Sequence, residues 1–226
     1  GVKLVEVENE DDIKAALSPQ TAAFAYVISH NSLGQKVQLP RMIELAHNAG
    51  VPLILDAAAE LPPLENLGKF TAMGADLVAI SGGKNLRGPQ SSGMLLGRKK
   101  LIEAAYANSS PHNRFARIAK VGKEEIIGLL TAVELYYKRD HQAERQAWQA
   151  LLERVADRLK GLPTTATEFI PNLDYSHSPR LSVQWNEEKL NLTVPQMVEK
   201  LRAGTPSIEA SDMKAFRPAW KGLGIF

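Results

Sequence analysis

The 226-residue sequence contains no cysteine, and its 27 basic residues are almost balanced by 25 acidic ones. The missing cysteine excludes disulfide bonds, thiolate metal sites and cysteine nucleophiles. A net charge of +2, with acids and bases interspersed, gives no basic surface typical of nucleic-acid binding. No His, Asp and Glu set has metal-binding spacing, and no nucleophile-elbow or phosphate-loop motif occurs. Because no membrane-length apolar run and no signal peptide are found, we expect a soluble cytoplasmic protein.

What the sequence does contain is a regular alternation of strand-like and helix-like segments, with 44% hydrophobic residues. In the first half we expect strands over residues 2–7, 21–29, 51–56, 77–80 and 94–97, with helices over 10–17, 40–50 and 67–74. This spacing predicts βαβ units and a mostly parallel sheet with flanking helices, so the fold class is α/β. Residues 1–122 are expected to form part of a large domain, 123–160 a long connecting helix, and 161–226 a small α+β domain.

Two charged residues lie at the ends of strands that are expected to be buried. Asp56 ends the strand 51–56, and Lys84 follows the strand 77–80 after Ser81 and two glycines. Open α/β sheets bind their ligands at the carboxyl ends of strands. Two interpretations remain open. One is a buried salt bridge between Asp56 and Lys84, because an unpaired buried carboxylate is costly. The other is a cofactor that lies between them.

Pyridoxal phosphate is the cofactor that suits these residue types. It needs a lysine for a Schiff base and an acid that keeps its pyridine nitrogen protonated. The small side chains at residues 57–59, Ala58 among them, would let a flat ring approach the sheet. Ser81 and the glycines before Lys84 offer a hydroxyl group and backbone N–H groups for a phosphate.

Two motifs resemble those of a known family: Asp56-Ala-Ala-Ala-Glu-Leu-Pro-Pro63 and Ser81-Gly-Gly-Lys-Asn-Leu-Arg-Gly-Pro-Gln90. From about Val2 to Ile208 the chain resembles the selenocysteine synthase-like branch of fold-type I pyridoxal-phosphate enzymes. The resemblance implies a fold-type I large domain followed by a small α+β C-terminal domain.

The same resemblance implies roles for individual residues. It implies Lys84 as the Schiff-base lysine, Asp56 as the partner of the pyridine nitrogen, and Ser81 as a contact of the phosphate. Residues 90–92 follow the lysine where such folds approach the site of a partner subunit. A homodimer or a higher homo-oligomer is therefore implied.

Further candidates surround these residues. Ser29 ends the strand 21–29 and His30 follows it, and both would contact the cofactor. A histidine satisfied by local hydrogen bonds is the alternative for His30. Asn31 would bind polar groups of a substrate or simply form the turn. Arg87 would bind a substrate carboxylate or phosphate, or else form a surface ion pair. Gln90 is a third candidate for substrate binding.

The sequence departs from the family pattern in two places. Family members carry, ahead of the equivalent of Val2, a turn and helix rich in glycine and alanine that grips the cofactor phosphate, and nothing here matches it. The arginine that usually follows the segment resembling Gly204-Thr-Pro-Ser-Ile208 is absent, since Glu209 and Ala210 stand there. We therefore expect both domains to be truncated and cofactor binding by this chain to be impaired or lost.

The resemblance implies a pyridoxal-phosphate-dependent lyase. Lys84 would remove the α-proton of a small amino acid or amino-sugar acid, and a β-substituent or ammonia would then be lost. Asp56 would stabilise the carbanion through the pyridinium. Two alternatives remain: a transferase that acts on seryl-tRNA, which the low net charge disfavours, and a truncated chain without catalytic activity.

Overall fold

The computed structural model describes residues 2–28, 36–171, 175–215 and 221–226. The chain forms two compact units, Gly1–Arg139 and Asp140–Phe226.

The first unit is built around a four-stranded sheet. Its strands are β1 (Phe24–Val27), β2 (Leu53–Asp56), β3 (Leu77–Ser81) and β4 (Gly93–Gly97), and they lie in that order across the sheet. β1, β2 and β3 run parallel, whereas β4 pairs with β3 in the antiparallel direction. The α/β class and the mostly parallel sheet that the sequence predicts are confirmed.

The helices of the first unit follow and connect these strands. They are α1 (Glu10–Ala16), α2 (Leu39–Asn48), α3 (Asn66–Ala72), α4 (Lys99–Asn108) and α5 (Lys123–Lys138), with a 3-10 helix at Phe115–Ala119. Asn9 caps α1, because its side chain accepts from the N–H groups of Asp11 and Asp12. Pro40 lies in the first turn of α2, where a missing N–H breaks no helical bond.

The two faces of the sheet differ in burial. One face carries buried side chains such as Tyr26, Leu53 and Val78. It is covered by α2 and α3, which contact β1, β2 and β3. Alternation along the strands places Val27 and Ile54 on the opposite face, where they are 54% and 38% exposed. The carboxyl ends of β2 and β3 therefore adjoin an open face of the sheet.

The strand expected over residues 2–7 does not form. These residues have no regular secondary structure, and they pair with no strand in the part of the chain that the structure describes. Val2 and Leu4 are exposed. Alternation of apolar and polar residues was not sufficient here, because a strand also needs a neighbour that takes its backbone hydrogen bonds.

The second unit, Asp140–Phe226, is a small α+β domain that begins earlier in the chain than the range 161–226 expected from the sequence. Its helices are α6 (His141–Leu159), α7 (Glu187–Leu190) and α8 (Val194–Arg202), with a 3-10 helix at Met213–Ala215. Its strands are β5 (Ala166–Ile170), β6 (Arg180–Gln184), β7 (Ser211–Asp212) and β8 (Leu223–Ile225), in the antiparallel order β5-β6-β8-β7. The core of this unit includes Leu152 from α6, Leu181 from β6 and Val194 from α8.

The single helix expected over residues 123–160 is in fact two helices, α5 and α6. Arg139 ends α5 with extended backbone angles, and the side chain of Asp140 starts α6 by accepting from the N–H of Ala143. The boundary between the two units falls between these residues. No helix within the described ranges is long and apolar enough to cross a membrane.

Candidate active site

Asp56 is the last residue of β2, and its exposed side chain lies on the open face of the sheet. In the register of the sheet it stands beside Val27 of β1 and Ala79 of β3. Its Oδ1 accepts a hydrogen bond from the backbone N–H of Ala58 at 2.9 Å. The turn that follows the strand therefore orients the carboxylate while leaving it open to solvent.

Lys84 follows the end of β3 and is also exposed. The structure describes both Lys84 and Asp56, and no ion pair joins them. The buried salt bridge considered from the sequence is therefore not formed. The carboxylate of Asp56 ends β2, and the amine of Lys84 follows the neighbouring parallel strand β3. Neither charge neutralises the other.

A compact loop, residues 82–92, presents Lys84. The N–H of Gly82 donates to the carbonyl of Ser92 at 2.9 Å, and the N–H of Gly88 donates to the carbonyl of Gly82 at 2.8 Å. Within the loop, the N–H of Arg87 donates to the carbonyl of Lys84, also at 2.8 Å. These bonds close the loop on itself, so the backbone of Lys84 is tied to the end of β3.

Helix α5 packs against this loop, and glycines permit the close contact. A Cβ atom on Gly82 would lie 2.8 Å from Cδ1 of Leu129 in α5. A Cβ atom on Gly128 of α5 would lie 2.7 Å from Cγ of Pro89 in the loop. Both distances are too short for real side chains. Packing of α5 against the loop therefore favours glycine at positions 82 and 128.

Ser81 and the alanines after Asp56 complete the candidate site. Ser81 lies two residues beyond Ala79, which stands beside Asp56, so Ser81 and Asp56 share the open face. Ser81 stands opposite Gly93 of β4, so no neighbouring side chain covers it on that strand. Ala58 is half-buried.

This set of groups fits pyridoxal phosphate. The exposed carboxylate of Asp56 suits a protonated pyridine nitrogen, and the exposed amine of Lys84 suits a covalent bond to the aldehyde. The hydroxyl group of Ser81 would be a donor for a phosphate. Ala79, beside Asp56, leaves the sheet surface free of a large side chain where a flat ring would lie.

Arg87 and Gln90, the predicted substrate contacts, both lie in the lysine loop. Arg87 is exposed and has a positive φ of 61°. This conformation is unfavourable in free energy for any residue that has a Cβ atom. The side-chain amide of Gln90 donates to the carbonyl of Gly83 at 3.1 Å, so it helps to hold the loop. The other predicted contacts, Ser29, His30 and Asn31, lie outside the described residues.

Two residues that the sequence did not single out also hold the loop in place: Asn85, which belongs to the loop, and Arg139. The side chain of Asn85 donates to the carbonyl of Leu61, and Arg139 at the end of α5 donates to the carbonyl of Asn85. Both contacts join residues that are more than 20 positions apart. No local pattern in the sequence could have indicated them.

Comparison with known families gives one match over about half of the chain. The sequence model of aminotransferase class V matches residues 4–118, a range that contains Asp56, Ser81 and Lys84.

Curated proteins of several activities are similar to the chain. D-glucosaminate-6-phosphate ammonia lyase of Salmonella typhimurium is 32% identical over 93% of this chain and 55% of its own length. A 5'-C-glycyluridine monooxygenase-decarboxylase of a Streptomyces species is 31% identical over 89% of this chain and 49% of its own length. L-seryl-tRNA(Sec) selenium transferase of Aquifex aeolicus is 26% identical over 84% of this chain and 50% of its own length.

A solved structure of a D-glucosaminate-6-phosphate ammonia-lyase is similar to the chain in three dimensions. The TM-score is 0.68 and the identity 29%, over 94% of this chain and 54% of the other. The chain thus spans about half the length of the relatives that it matches.

Proposed function

The chain belongs to the aminotransferase class-V family, and we propose that it carries the lysine and aspartate of a pyridoxal-phosphate-dependent lyase. The family and the similar lyase and transferase are pyridoxal-phosphate enzymes. The observation that carries the proposal is that Asp56 and Lys84, at the carboxyl ends of neighbouring parallel strands, are both exposed and form no ion pair with each other. Similarity to an ammonia lyase supports elimination from a small amino acid or amino-sugar acid.

In this proposal each residue of the site has a defined role. Pyridoxal phosphate, when bound, supplies an electron sink for negative charge at the α-carbon of an amine substrate. Asp56 would keep the pyridine nitrogen protonated, and Ser81 would donate to the phosphate. Lys84 would hold the cofactor covalently and would also act as the general base for the α-proton of the substrate. Arg87 binds an anionic group of the substrate.

A covalent trapping experiment tests the assignment of Lys84. The 226-residue chain is mixed with pyridoxal phosphate, reduced with borohydride and digested, and the pyridoxyl adduct is mapped by mass spectrometry. We expect the adduct at Lys84 and its loss in Lys84→Ala. Lys99→Ala, which removes another exposed lysine of the same unit, is the matched control and should keep the adduct. An adduct spread equally over the surface lysines would instead favour a chain that keeps the fold without the cofactor.

A second experiment tests the reaction class. Amino acids and amino-sugar acids are incubated with the loaded chain in heavy water, and exchange of the α-hydrogen is followed by NMR together with release of ammonia. We expect both to depend on Lys84 and Asp56. Exchange without ammonia release, or a decarboxylated product, would contradict elimination of ammonia while keeping the role of Lys84.

Transfer to seryl-tRNA is a second candidate, because one of the relatives has that name. The net charge of +2 gives this chain little of the positive surface that tRNA binding requires. Filter binding of seryl-tRNA at two salt concentrations distinguishes the candidates. Salt-sensitive binding would favour the transferase, and equally weak binding at both concentrations would favour the lyase.

We also propose that the protein is a homodimer or a higher homo-oligomer. Phe115 and Ile118 of the 3-10 helix are 93% and 94% exposed. Large apolar side chains exposed side by side are typical of surfaces that another chain covers. Light scattering after size-exclusion chromatography should give at least twice the mass of the chain, and the double variant Phe115→Ser/Ile118→Ser should give a smaller mass. The cytoplasmic location expected from the sequence stays a prediction that cell fractionation would check.

A further inference from the structure

The residue after Lys84 bridges the two segments that carry the candidate site. Nδ2 of Asn85 donates to the carbonyl oxygen of Leu61 at 2.5 Å. Leu61 is buried and belongs to the segment that follows Asp56. A single side chain thus connects the loop that presents the amine with the segment that leads away from the carboxylate.

Asn85 is also held from its other side. Nη1 of Arg139, at the end of α5, donates to the carbonyl oxygen of Asn85 at 3.2 Å. The guanidinium of Arg139 lies 5.1 Å from the centroid of the Tyr136 ring, and Tyr136 is fully buried. A cation over an aromatic face is attracted by it, so the buried ring supports the arginine.

The segment after Asp56 is itself well anchored, so a bond to it can fix a position. The N–H of Ala57 donates to the carbonyl of Ala79 in β3 at 2.9 Å. Nδ2 of Asn66, at the start of α3, donates to the carbonyl of Glu60 at 2.6 Å, and Asn66 is buried. Two asparagines therefore hold the consecutive carbonyls of residues 60 and 61, one from α3 and one from the lysine loop.

We propose that Asn85, supported by Arg139, is a positioning residue that sets where Lys84 stands relative to Asp56. This inference rests on the proposed function, because it concerns the lysine and the aspartate of that site. Neither Asn85 nor Arg139 needs to touch the cofactor. Each acts through the backbone of the loop, and small displacements of a reacting group lower rates strongly.

The adduct at Lys84 provides the first test. In Asn85→Ala we expect the rate of adduct formation at Lys84 to fall by about tenfold or more, since a displacement of about 1 Å costs up to about 100-fold. The pH dependence of the absorbance of the adduct before reduction should also shift, because it reports the surroundings of the Lys84 nitrogen. Asn85→Gln keeps the amide donor and should restore part of the rate.

Asn66→Ala is the matched control. It removes a hydrogen bond of the same kind from the neighbouring carbonyl, but from α3 and not from the lysine loop. We expect it to lower the thermal midpoint at least as much as Asn85→Ala. The adduct rate and its pH profile should stay unchanged, because the bond from Ala57 to Ala79 still anchors the segment after Asp56. If both variants lower the midpoint and neither alters the adduct, Asn85 has only a structural role and the proposal is overturned.

A measurement without the cofactor separates the two proposals. The rate of acetylation of Lys84 by a small reagent, relative to Lys99, reports the position and mobility of the amine. We expect Asn85→Ala and Arg139→Met to change this ratio at least threefold, and Asn66→Ala to leave it unchanged. If the wild-type chain forms no adduct at Lys84, the proposed function is wrong. The acetylation ratio still shows whether Asn85 positions Lys84, because it does not depend on the cofactor. An unchanged ratio in both loop variants would overturn that role.

Discussion

The buried carboxylate of Asp76 accepts a hydrogen bond at 2.8 Å from Nη1 of Arg98, which joins the start of β3 to the end of β4. The other carboxylate oxygen accepts from the N–H of Leu53 at 2.8 Å and lies 3.1 Å from Nε2 of His47. Asp76 thereby connects α2, β2 and β4 at the amino-terminal ends of β2 and β3, whereas the candidate site lies at their carboxyl ends. It is 2% exposed, so its charge depends on these partners.

Replacing Asp76 should destabilise the first unit without touching the site. In Asp76→Ala the N–H of Leu53 loses its acceptor, and an unsatisfied buried donor costs about 1–3 kcal/mol. Urea unfolding at neutral pH measures the loss. Asp76→Asn is the matched variant, because it keeps an acceptor for Leu53 and loses only the charge. A wild-type midpoint in Asp76→Ala would contradict the role.

The stability that Asp76 contributes should depend on pH. Burial raises the pKa of Asp76, but hydrogen bonds from Arg98, Leu53 and His47 outweigh burial and hold the pKa below its ordinary value of 3.8. A carboxyl whose pKa is lower in the folded state stabilises the fold above pH 3.8, and this contribution is lost as the pH falls through the folded value. Unfolding of the wild type and of Asp76→Asn should therefore differ near neutral pH and converge in acid.

Two glycines of the first unit should respond to alanine in opposite ways. A Cβ atom on Gly82 would meet Leu129 at 2.8 Å and the carbonyl of Ser92 at 3.0 Å, and that backbone cannot yield without opening the lysine loop. Gly68 lies in α3 with no atom within 4 Å of its Cβ position. Gly68→Ala should stabilise the chain by up to about 1 kcal/mol, since alanine favours helix. Gly82→Ala should lower both the midpoint of urea unfolding and the rate of adduct formation at Lys84. Equal unfolding midpoints for Gly82→Ala and Gly68→Ala would be inconsistent with the packing of α5 on the loop.

The strands at the site could be predicted because each is a short apolar run with a polar or glycine end. Leu53–Asp56 and Leu77–Ser81 are of this kind. The break between α5 and α6 could not be predicted. Arg139 and Asp140 are neither glycine nor proline, and the break depends on a cap formed by Asp140. The apolar face of the sheet that stays open could not be predicted either, since Val27 and Ile54 look like core residues in the sequence.

The sequence suggests the candidate residues that chemistry alone identifies, whose roles stay predictions, and it gives no sign of the contacts that depend on geometry. Lys84 and Asp56 stand out because a lysine and an aspartate are the two residue types that pyridoxal phosphate needs. The bond from Asn85 to Leu61 spans 24 positions and ends on a carbonyl, which every residue possesses. Likewise, nothing in the sequence around Asp76 indicates that its partners come from residues 47, 53 and 98.

Arg87 should separate backbone strain from charge. Its φ of 61° suits glycine and costs other residues about 1–2 kcal/mol. Arg87→Gly and Arg87→Ala both remove the guanidinium, but only the first relieves the strain. We expect Arg87→Gly to be more stable than Arg87→Ala by about 1 kcal/mol in urea unfolding. Both variants should bind an anionic substrate more weakly to the same extent, and a loss in only one of them would assign the effect to the backbone.

Asp56 should be dispensable for folding and required for chemistry. Its carboxylate is exposed, and its only described hydrogen bond in the structure comes from the N–H of Ala58. Asp56→Asn keeps an acceptor for that bond, and we therefore expect a stability change within about 0.5 kcal/mol. The same variant cannot hold a proton on a pyridine nitrogen, so α-hydrogen exchange catalysed by the loaded chain should fall by about 100-fold or more. The adduct at Lys84 should still form, because Lys84 itself is unchanged. Normal exchange in Asp56→Asn would mean that another acid serves the pyridine nitrogen, and loss of folding would mean that Asp56 is structural.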